Sequence, residues 1–156
     1  MRKESVKIMR EILFKAKTTK KISPIHEFNE KWVEGNLIKS DGRYYIHPLC
    51  NKVKMAGELG KIIVMHEVQP NTICQHTGLS DRNGQKIWEN DICIIEDGTT
   101  FDDGDGYFKV GFDEDSARFT LDGDGLTVDF DNVYSNDTEV LGNIFDNLEL
   151  LEVDYD

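Results

Sequence analysis

The chain of 156 residues is long enough to form one domain with its own core, without help from disulfide bonds. Its composition is typical of a folded, polar protein, with 38% hydrophobic and 31% charged residues, and it contains no apolar run of the roughly 20 residues that a membrane-spanning helix needs. The three widely spaced cysteines and the lack of an apolar signal segment at the start exclude a disulfide framework and predict a cytoplasmic protein.

The net charge of −12 is divided unevenly along the chain. Residues 1–90 carry 16 Lys and Arg against 10 Asp and Glu, a net charge of +6, whereas residues 91–156 carry 2 against 20, a net charge of −18. A basic and an acidic half attract each other within one chain or between two copies, and acidic surfaces repel nucleic acid. We therefore expect a tendency to form homo-oligomers and little direct binding of nucleic acid.

The basic N-terminal segment, residues 1–21, fits two local structures. Its apolar residues suit a short amphipathic helix, but residues 12–16 also alternate as a strand would, and periodicity does not separate the two. Its eight Lys and Arg residues are interpreted first as a solvated terminus and alternatively as an arm that binds nucleic acid. Residues 17–29 contain Pro24 and no periodicity, which predicts a loop.

Residues 32–46 predict a first hairpin. Apolar and aromatic residues at 32–38 and 44–46 flank a Ser-Asp-Gly-Arg turn at 40–43. Residues 61–68 predict a buried strand, because four consecutive residues in it are apolar.

Residues 75–95 contain two turn signals between short apolar runs. Asn83 and Gly84 predict a two-residue type I′ turn, which needs positive φ at both positions. Residues 89–91 predict a second tight turn, followed by a strand at 92–95. We therefore expect residues 78–91 to form a hairpin that is presented at the surface.

The acidic half predicts further strands. Residues 96–106 are too rich in Gly and Asp to be anything but a loop. Strands are predicted at 107–112, 117–121, 126–134 and 138–145, and one helical turn at 148–151. Nine or so short strands without long helices indicate an all-β fold of the sandwich or barrel kind.

A zinc site is the most specific chemical hypothesis that the residues allow. His47, Cys50, Cys74 and His76 together provide two nitrogens and two sulfurs, which suits tetrahedral Zn²⁺. Their spacing is unusual for such a site. Ordinary strand and loop residues are the preferred interpretation, and we predict no metal and no cofactor.

The residues give little support to a cysteine nucleophile or to a calcium site. A cysteine nucleophile would pair Cys74 with His76, or Cys93 with His66, but no nucleophile motif or phosphate loop accompanies them, so no catalytic residue is predicted. The aspartates at 102–106 and 122–125 do not fit an EF-hand register and are read as turn formers. We predict that the protein is not an enzyme.

The aromatic residues allow a surface interpretation beside the core interpretation. Trp32, Tyr44, Tyr45, Trp88 and Phe119 would suit a stacking platform for single-stranded nucleic acid only within a basic surround. Packing in the core is preferred for most of them. If one is exposed, we expect it to be Trp88, as an anchor for a protein partner.

Four segments in order resemble one family. They are MREILFKAK at 9–17, KWVEGNLI at 31–38, QHTGLSDRNGQKIWENDI at 75–92 and EVLGNIFDNLELLE at 139–152. Together they resemble the YopX family of phage and prophage proteins, and residues 96–137 show almost no resemblance. Asn90 stands where the family usually has Gly, and Asn tolerates the positive φ of that turn.

The resemblance implies an all-β protein built around an SH3-like barrel or pseudo-barrel, with additional hairpins and a short C-terminal helical turn. It implies an N-terminal extension at 1–8 and one β domain at 9–156, or two closely packed β units. It also implies a phage or prophage origin and a bacterial host cell, whereas the family has no established biochemical activity.

These observations lead us to expect a non-catalytic protein-binding module in the cytoplasm, with an unidentified protein partner and no membrane contact. The alternative is a regulator related to nucleic acid, which binds through the basic arm or mimics DNA with the acidic half. The expected partner contacts lie in the central hairpin and its second turn: Asp81, Asn83, Trp88, Asn90 and Asp91.

Overall fold

A computed structural model of the chain describes residues 10–19, 30–48, 65–95, 107–123 and 125–151. These residues form eleven β-strands, one six-residue helix and two single turns of 3₁₀ helix, which confirms the prediction of an all-β fold. Within these ranges, no helix is long and apolar enough to cross a membrane. The N-terminal extension at 1–8 and the loop at 96–106 lie outside the described residues.

The first sheet is built from the first half of the chain. It has six antiparallel strands in the spatial order β4-β3-β2-β1-β5-β6. The part of the N-terminal segment that allowed two interpretations forms a strand, and the hairpin predicted at 32–46 is confirmed as β2 and β3. A 3₁₀ turn at Pro70–Thr72 connects β4 to β5. The strands are β1 Phe14–Lys17, β2 Trp32–Ser40, β3 Arg43–Pro48, β4 His66–Val68, β5 Cys74–Ser80 and β6 Lys86–Trp88.

The second sheet follows directly and has five antiparallel strands in the order β10-β9-β8-β7-β11. The predicted helical turn at the C-terminal end is confirmed at Leu148–Leu151. Neither sheet closes on itself through the described strands, so the β structure consists of two open sheets where a barrel was expected. The strands are β7 Asp91–Ile95, β8 Tyr107–Asp113, β9 Arg118–Gly123, β10 Leu126–Asp129 and β11 Thr138–Asn143.

The strand predicted at 126–134 is too long. Phe130 buries its ring in the core directly after β10, and the short helix α1 follows at Asn132–Asp137. The Ser135 amide donates to the Asp131 carbonyl oxygen at 3.2 Å. Asp and Asn fit poorly in a strand but suit the start of a helix, which explains the change of structure at this point.

The β5–β6 hairpin is present, but its turn is not of type I′. Gly84 has a φ of 80°, but the φ of Asn83 is not positive, and a type I′ turn needs a positive φ at both positions. The connection is instead a five-residue loop, in which the Asp81 amide donates to the Gln85 carbonyl oxygen and the Gly84 amide to the Asp81 carbonyl oxygen. The second turn is confirmed, with Asn90 at a φ of 67°.

Three apolar clusters hold the two sheets. The largest lies under the second sheet but includes Ile87 from β6, so the two sheets share a core. A second cluster lies under the first sheet, around Ala16, Ile46 and Val68. The third consists of Leu13, Cys74 and Trp88, with Phe145 packed against it.

Candidate functional site

One face of the first sheet carries a row of charged and aromatic side chains. Along β1, Ala16 is buried in the core, and alternation turns Lys15 and Lys17 to the opposite face. The antiparallel register with β2 places Lys15 opposite Glu34 and Lys17 opposite Trp32. The same face therefore combines two cations, a carboxylate and an indole.

This face forms one wall of an open groove with a volume of about 450 Å³. Pockets that bind small ligands or side chains have volumes in this range. The C-terminal end of β11 and the turn after it form the opposite wall. We call this the Trp32–Trp88 groove; its lining residues are Lys15, Trp32, Glu34, Gln85, Lys86, Trp88, Asn143 and Asp146.

A buried ion pair between Lys15, which lines the groove, and Asp91 joins the two sheets. Lys15 Nζ lies 2.9 Å from Asp91 Oδ1, and the Asp91 side chain is 2% exposed. Burial raises the pKa of Asp91, while Lys15 acts in the opposite direction. The Lys15 ammonium also lies 5.0 Å from the ring centre of Trp32 and 5.5 Å from that of Trp88.

Three donors from different elements meet at the carboxylate of Asp146. Lys17 Nζ pairs with Oδ1, while Trp32 Nε1 and Asn143 Nδ2 donate to Oδ2 at 2.7 and 3.1 Å. The hydrogen bond from Lys17 is the largest cause that lowers the pKa of Asp146 to about 2. Phe145 stacks against Trp32 with 5.8 Å between ring centres, so this turn is packed onto the first sheet.

Lys86, the third lysine near the two indoles, also has a carboxylate partner. Lys86 Nζ lies 3.0 Å from Glu34 Oε2 and 5.9 Å from the ring centre of Trp88. Each of the three lysines around the two indoles therefore has a carboxylate partner. The result is a mixed surface with donors, acceptors and flat apolar rings but little net charge.

The expected partner contacts fall mostly inside the molecule. Trp88 is 4% exposed, and Asp81 and Asp91 are 5% and 1% exposed, so the expectation that Trp88 is an exposed anchor is wrong. Asn83 is exposed at the tip of the loop, and Asn90 is half-buried in its turn. β6 is the outer strand of the first sheet, and its Trp88 packs with Leu13 and Cys74 and against Phe145 from the turn after β11.

Asp81 has a structural role that its position in the hairpin did not indicate. Its Oδ1 accepts hydrogen bonds from the amides of Asn83 and Gln85, both at 2.9 Å, and its Oδ2 accepts one from the amide of Val140 at 3.1 Å. The loop of the β5–β6 hairpin is therefore fixed to β11 and is not presented freely.

Cys74 and Cys93 are buried, and at Cys74 the effect of burial outweighs the opposite effects of Asn90 and Lys15 on the pKa of the thiol. Burial raises the pKa of Cys74 to about 11 and that of Cys93 to about 12. The Cys74 thiol donates to the Thr72 carbonyl oxygen at 3.4 Å and accepts from Asn90 Nδ2 at 3.6 Å. Neutral thiols are poor nucleophiles and poor metal ligands.

Among the described residues, His76 and His66 form no metal site with Cys74 or Cys93. His76 packs on Trp88 with 5.0 Å between ring centres, its Nε2 lies 3.2 Å from the Leu79 carbonyl oxygen, and burial lowers its pKa. His66 and Cys93 belong to different sheets. Cys50 lies outside the described residues, and the part of the chain that is described has no group of three His, Cys, Asp or Glu able to hold a metal.

The remaining candidates are separate from the groove. Tyr44 packs against the core of the first sheet and Phe119 against that of the second, so the five aromatic residues do not form one platform. Of the two aspartate loops, residues 102–106 lie outside the described ranges, as does Asp124 in the other.

Sequence reasoning missed the groove, although part of the signal was present. Charged or aromatic residues alternate with apolar ones in both β1 and β2, which indicates a two-faced sheet. Lys17 and Trp32, which the register places opposite each other, are 15 positions apart in the sequence, and Lys17 and Asp146 are 129 positions apart. Local patterns contain no information about such pairings.

Comparisons with known proteins give a family model that matches the sequence and a crystal structure that is similar to the chain. The family model described as YopX protein matches residues 24–152, most of the chain. A crystal structure of protein EF1440 from Enterococcus faecalis is similar over 92% of this chain and 100% of that one, at 20% sequence identity and a TM-score of 0.49. No curated protein matches the sequence.

Proposed function

Because the chain belongs to the YopX protein family, we propose that it is a non-catalytic module that binds a protein partner in the Trp32–Trp88 groove. The observation that carries this proposal is the groove itself, where the half-buried Trp32, the buried Trp88 and two ion-paired lysines, Lys15 and Lys86, line about 450 Å³ of open space. Interfaces obtain most of their affinity from such aromatic residues at their centre, surrounded by polar groups.

The electrostatics of the groove favour a polypeptide over a polyphosphate. Nucleic-acid sites depend on cations that are available to phosphates, whereas each groove lysine already has a carboxylate partner. A peptide segment presents amides and side chains of both characters, which match the alternating donors and acceptors along the groove.

We propose further that the protein is of phage or prophage origin and acts in the cytoplasm of a bacterial host. Self-association belongs to the proposal as well, because the two halves of the chain have opposite net charge and both sheets have outer strands. Sedimentation at low and high salt would measure it. A monomer at both salt concentrations would remove self-association from the proposal.

The test is capture of a partner by matched variants. Lys86→Glu reverses a charge in the groove, and Lys39→Glu makes the same change at an exposed lysine that also lies over an aromatic ring, that of Tyr44. We expect the wild type and Lys39→Glu to retain the same protein from a host lysate, and Lys86→Glu to lose at least about nine-tenths of it. Equal retention by both variants would contradict a groove interface.

A nucleic-acid-related role is a second candidate because of the acidic second sheet. Asp113, Asp129 and Asp131 are exposed in or beside its strands. A DNA mimic would capture a DNA-binding protein that added duplex DNA displaces, and this capture would be insensitive to Lys86→Glu. A protein partner bound in the groove would not be displaced by duplex DNA, and Lys86→Glu would reduce its capture.

A further inference from the structure

The carboxylate of Asp146 occupies a site that is built by other parts of the chain. Lys17 and Trp32 come from neighbouring strands of the first sheet, and Asn143 from the end of β11. The two carboxylate oxygens are bonded separately: Lys17 holds Oδ1, and the other two donors hold Oδ2. Such a division suits a planar group with two oxygens and one negative charge.

The occupant is accessible, although its donors are anchored. The Asp146 side chain is 38% exposed, while that of Lys17 is 17% exposed. Asn143 Oδ1 fixes the turn by accepting hydrogen bonds from the amides of Phe145 and Asp146, both at 3.0 Å. Asn143 therefore holds the backbone of this turn in place without help from the Asp146 side chain.

We propose that Lys17, Trp32 and Asn143 form the carboxylate subsite of the groove, and that an acidic side chain of the protein partner replaces Asp146 there. This inference rests on the proposed function and names the chemistry of its ligand. The Asp146 side chain then competes with the acidic side chain of the partner, and it keeps the subsite neutral when no partner is bound.

Charge complementarity supports an acidic occupant. When Asp146 leaves, Lys15, Lys17 and Lys86 face Asp91 and Glu34, which leaves one positive charge uncompensated. A single carboxylate restores neutrality and satisfies the same three donors. A phosphate group would bring more negative charge and a third oxygen that none of these donors addresses.

The experiment uses the full ¹⁵N-labelled chain and the indole signal of Trp32, which Trp32→Phe identifies because the chain has two tryptophans. The probes are the peptides acetyl-Gly-Asp-Gly-amide and acetyl-Gly-Asn-Gly-amide. In Asp146→Ala, we expect the Asp peptide to shift the Trp32 Nε1–H signal saturably, with a Kd at least about tenfold below that of the wild type. The Asn peptide should produce no saturable shift.

Asp129→Ala is the matched control, because it removes the carboxylate of the exposed Arg118–Asp129 pair in the other sheet. It should respond as the wild type does. If Asp146→Ala fails to fold, Asp146→Asn takes its place with the same criteria, since its amide keeps the shape of the side chain without the charge.

Two results would overturn the inference. Equal shifts with both peptides would mean that the groove binds peptides without preferring acids, which leaves the proposed function intact. No saturable shift in either Asp146 variant would remove the subsite, and the capture experiment with Lys86→Glu would then decide on the groove separately.

Discussion

Asp81 shows how a single buried carboxylate determines the geometry of a loop. It accepts three backbone hydrogen bonds, two within its own loop and one from β11. The sequence indicated a turn through Asn83 and Gly84, and a turn forms there, but the residue that decides its shape comes two positions earlier. An aspartate two residues before the tip typically accepts such bonds, which was a usable signal for a longer loop.

We expect Asp81→Ala to lower the free energy of unfolding by about 2–4 kcal/mol, because it removes a buried carboxylate that accepts three backbone hydrogen bonds. Urea denaturation followed by circular dichroism measures this change. Asp113→Ala is the control, since Asp113 also accepts local hydrogen bonds, from Asp115 and Ser116, but is fully exposed. A loss no larger than that of the control would contradict the role of Asp81.

The buried thiols lead to a chemical prediction. In Cys50→Ser, which leaves Cys74 and Cys93, both thiols should react with a disulfide reagent at least about a hundredfold more slowly in the folded protein than in denaturant, because their raised pKa disfavours the thiolate. Absorbance at about pH 8 follows the reaction. Rapid reaction of one thiol in the folded variant would revive the nucleophile hypothesis.

At the scale of elements, alternation and turn residues were sufficient to predict most of the strands. The hairpin of β2 and β3, the turn at Asn90 and the C-terminal 3₁₀ turn follow from local patterns. The pairing of β1 with β5, and the contact between the turn after β11 and the first sheet, depend on residues far apart in sequence. Such contacts are decided by the packing of the whole chain, and the groove consists of them.

The charge of Asp146 stabilises the contact between the turn after β11 and the first sheet, which gives a prediction with a defined sign. Its pKa is lowered from 3.8 to about 2 in the folded protein, so the folded state binds this proton more weakly than the unfolded state. Its stabilisation is therefore complete above the unfolded value and is lost as the pH falls towards 2.

We expect Asp146→Asn to be less stable than the wild type near neutral pH, and the difference to shrink as the pH falls from about 4 to about 2. Denaturation of both proteins across this range measures it. High salt should reduce the difference, because the ion pair with Lys17 is partly exposed. A difference that is independent of pH would mean that the hydrogen bonds matter and the charge does not.

For the molecule as a whole, the buried ion pair between Lys15 and Asp91 connects the two sheets. Lys15 belongs to β1 and Asp91 begins β7, while Asp91 Oδ2 also accepts the amide of Trp88 at 2.8 Å. Lys15 of this pair also lines the groove, so a change in the packing of the sheets changes the shape of the groove.

We expect Lys15→Met to lower the free energy of unfolding by about 3 kcal/mol, because it leaves a buried charge without its partner. Adding Asp91→Asn should recover part of the loss, since the amide oxygen still accepts from Trp88 without carrying charge. Lys86→Met, which breaks the exposed pair with Glu34, should cost about 1 kcal/mol or less. Equal losses of free energy of unfolding in the single and double variants would show that the pair contributes through packing and not through its charges.

The boundary between the sheets falls at one point in the chain. Every described strand of the first sheet precedes Asn90, and every described strand of the second follows it. A chain divided after Asn90 would thus yield two complementing fragments with no severed strand pairing and with net charges of +6 and −18. Since Ile87 of the first fragment fills the core of the second, we expect the fragments to reassemble when mixed and to rebuild the groove from Trp32 on one and Asp146 on the other. Recovery of the tryptophan emission of the intact protein would report that union.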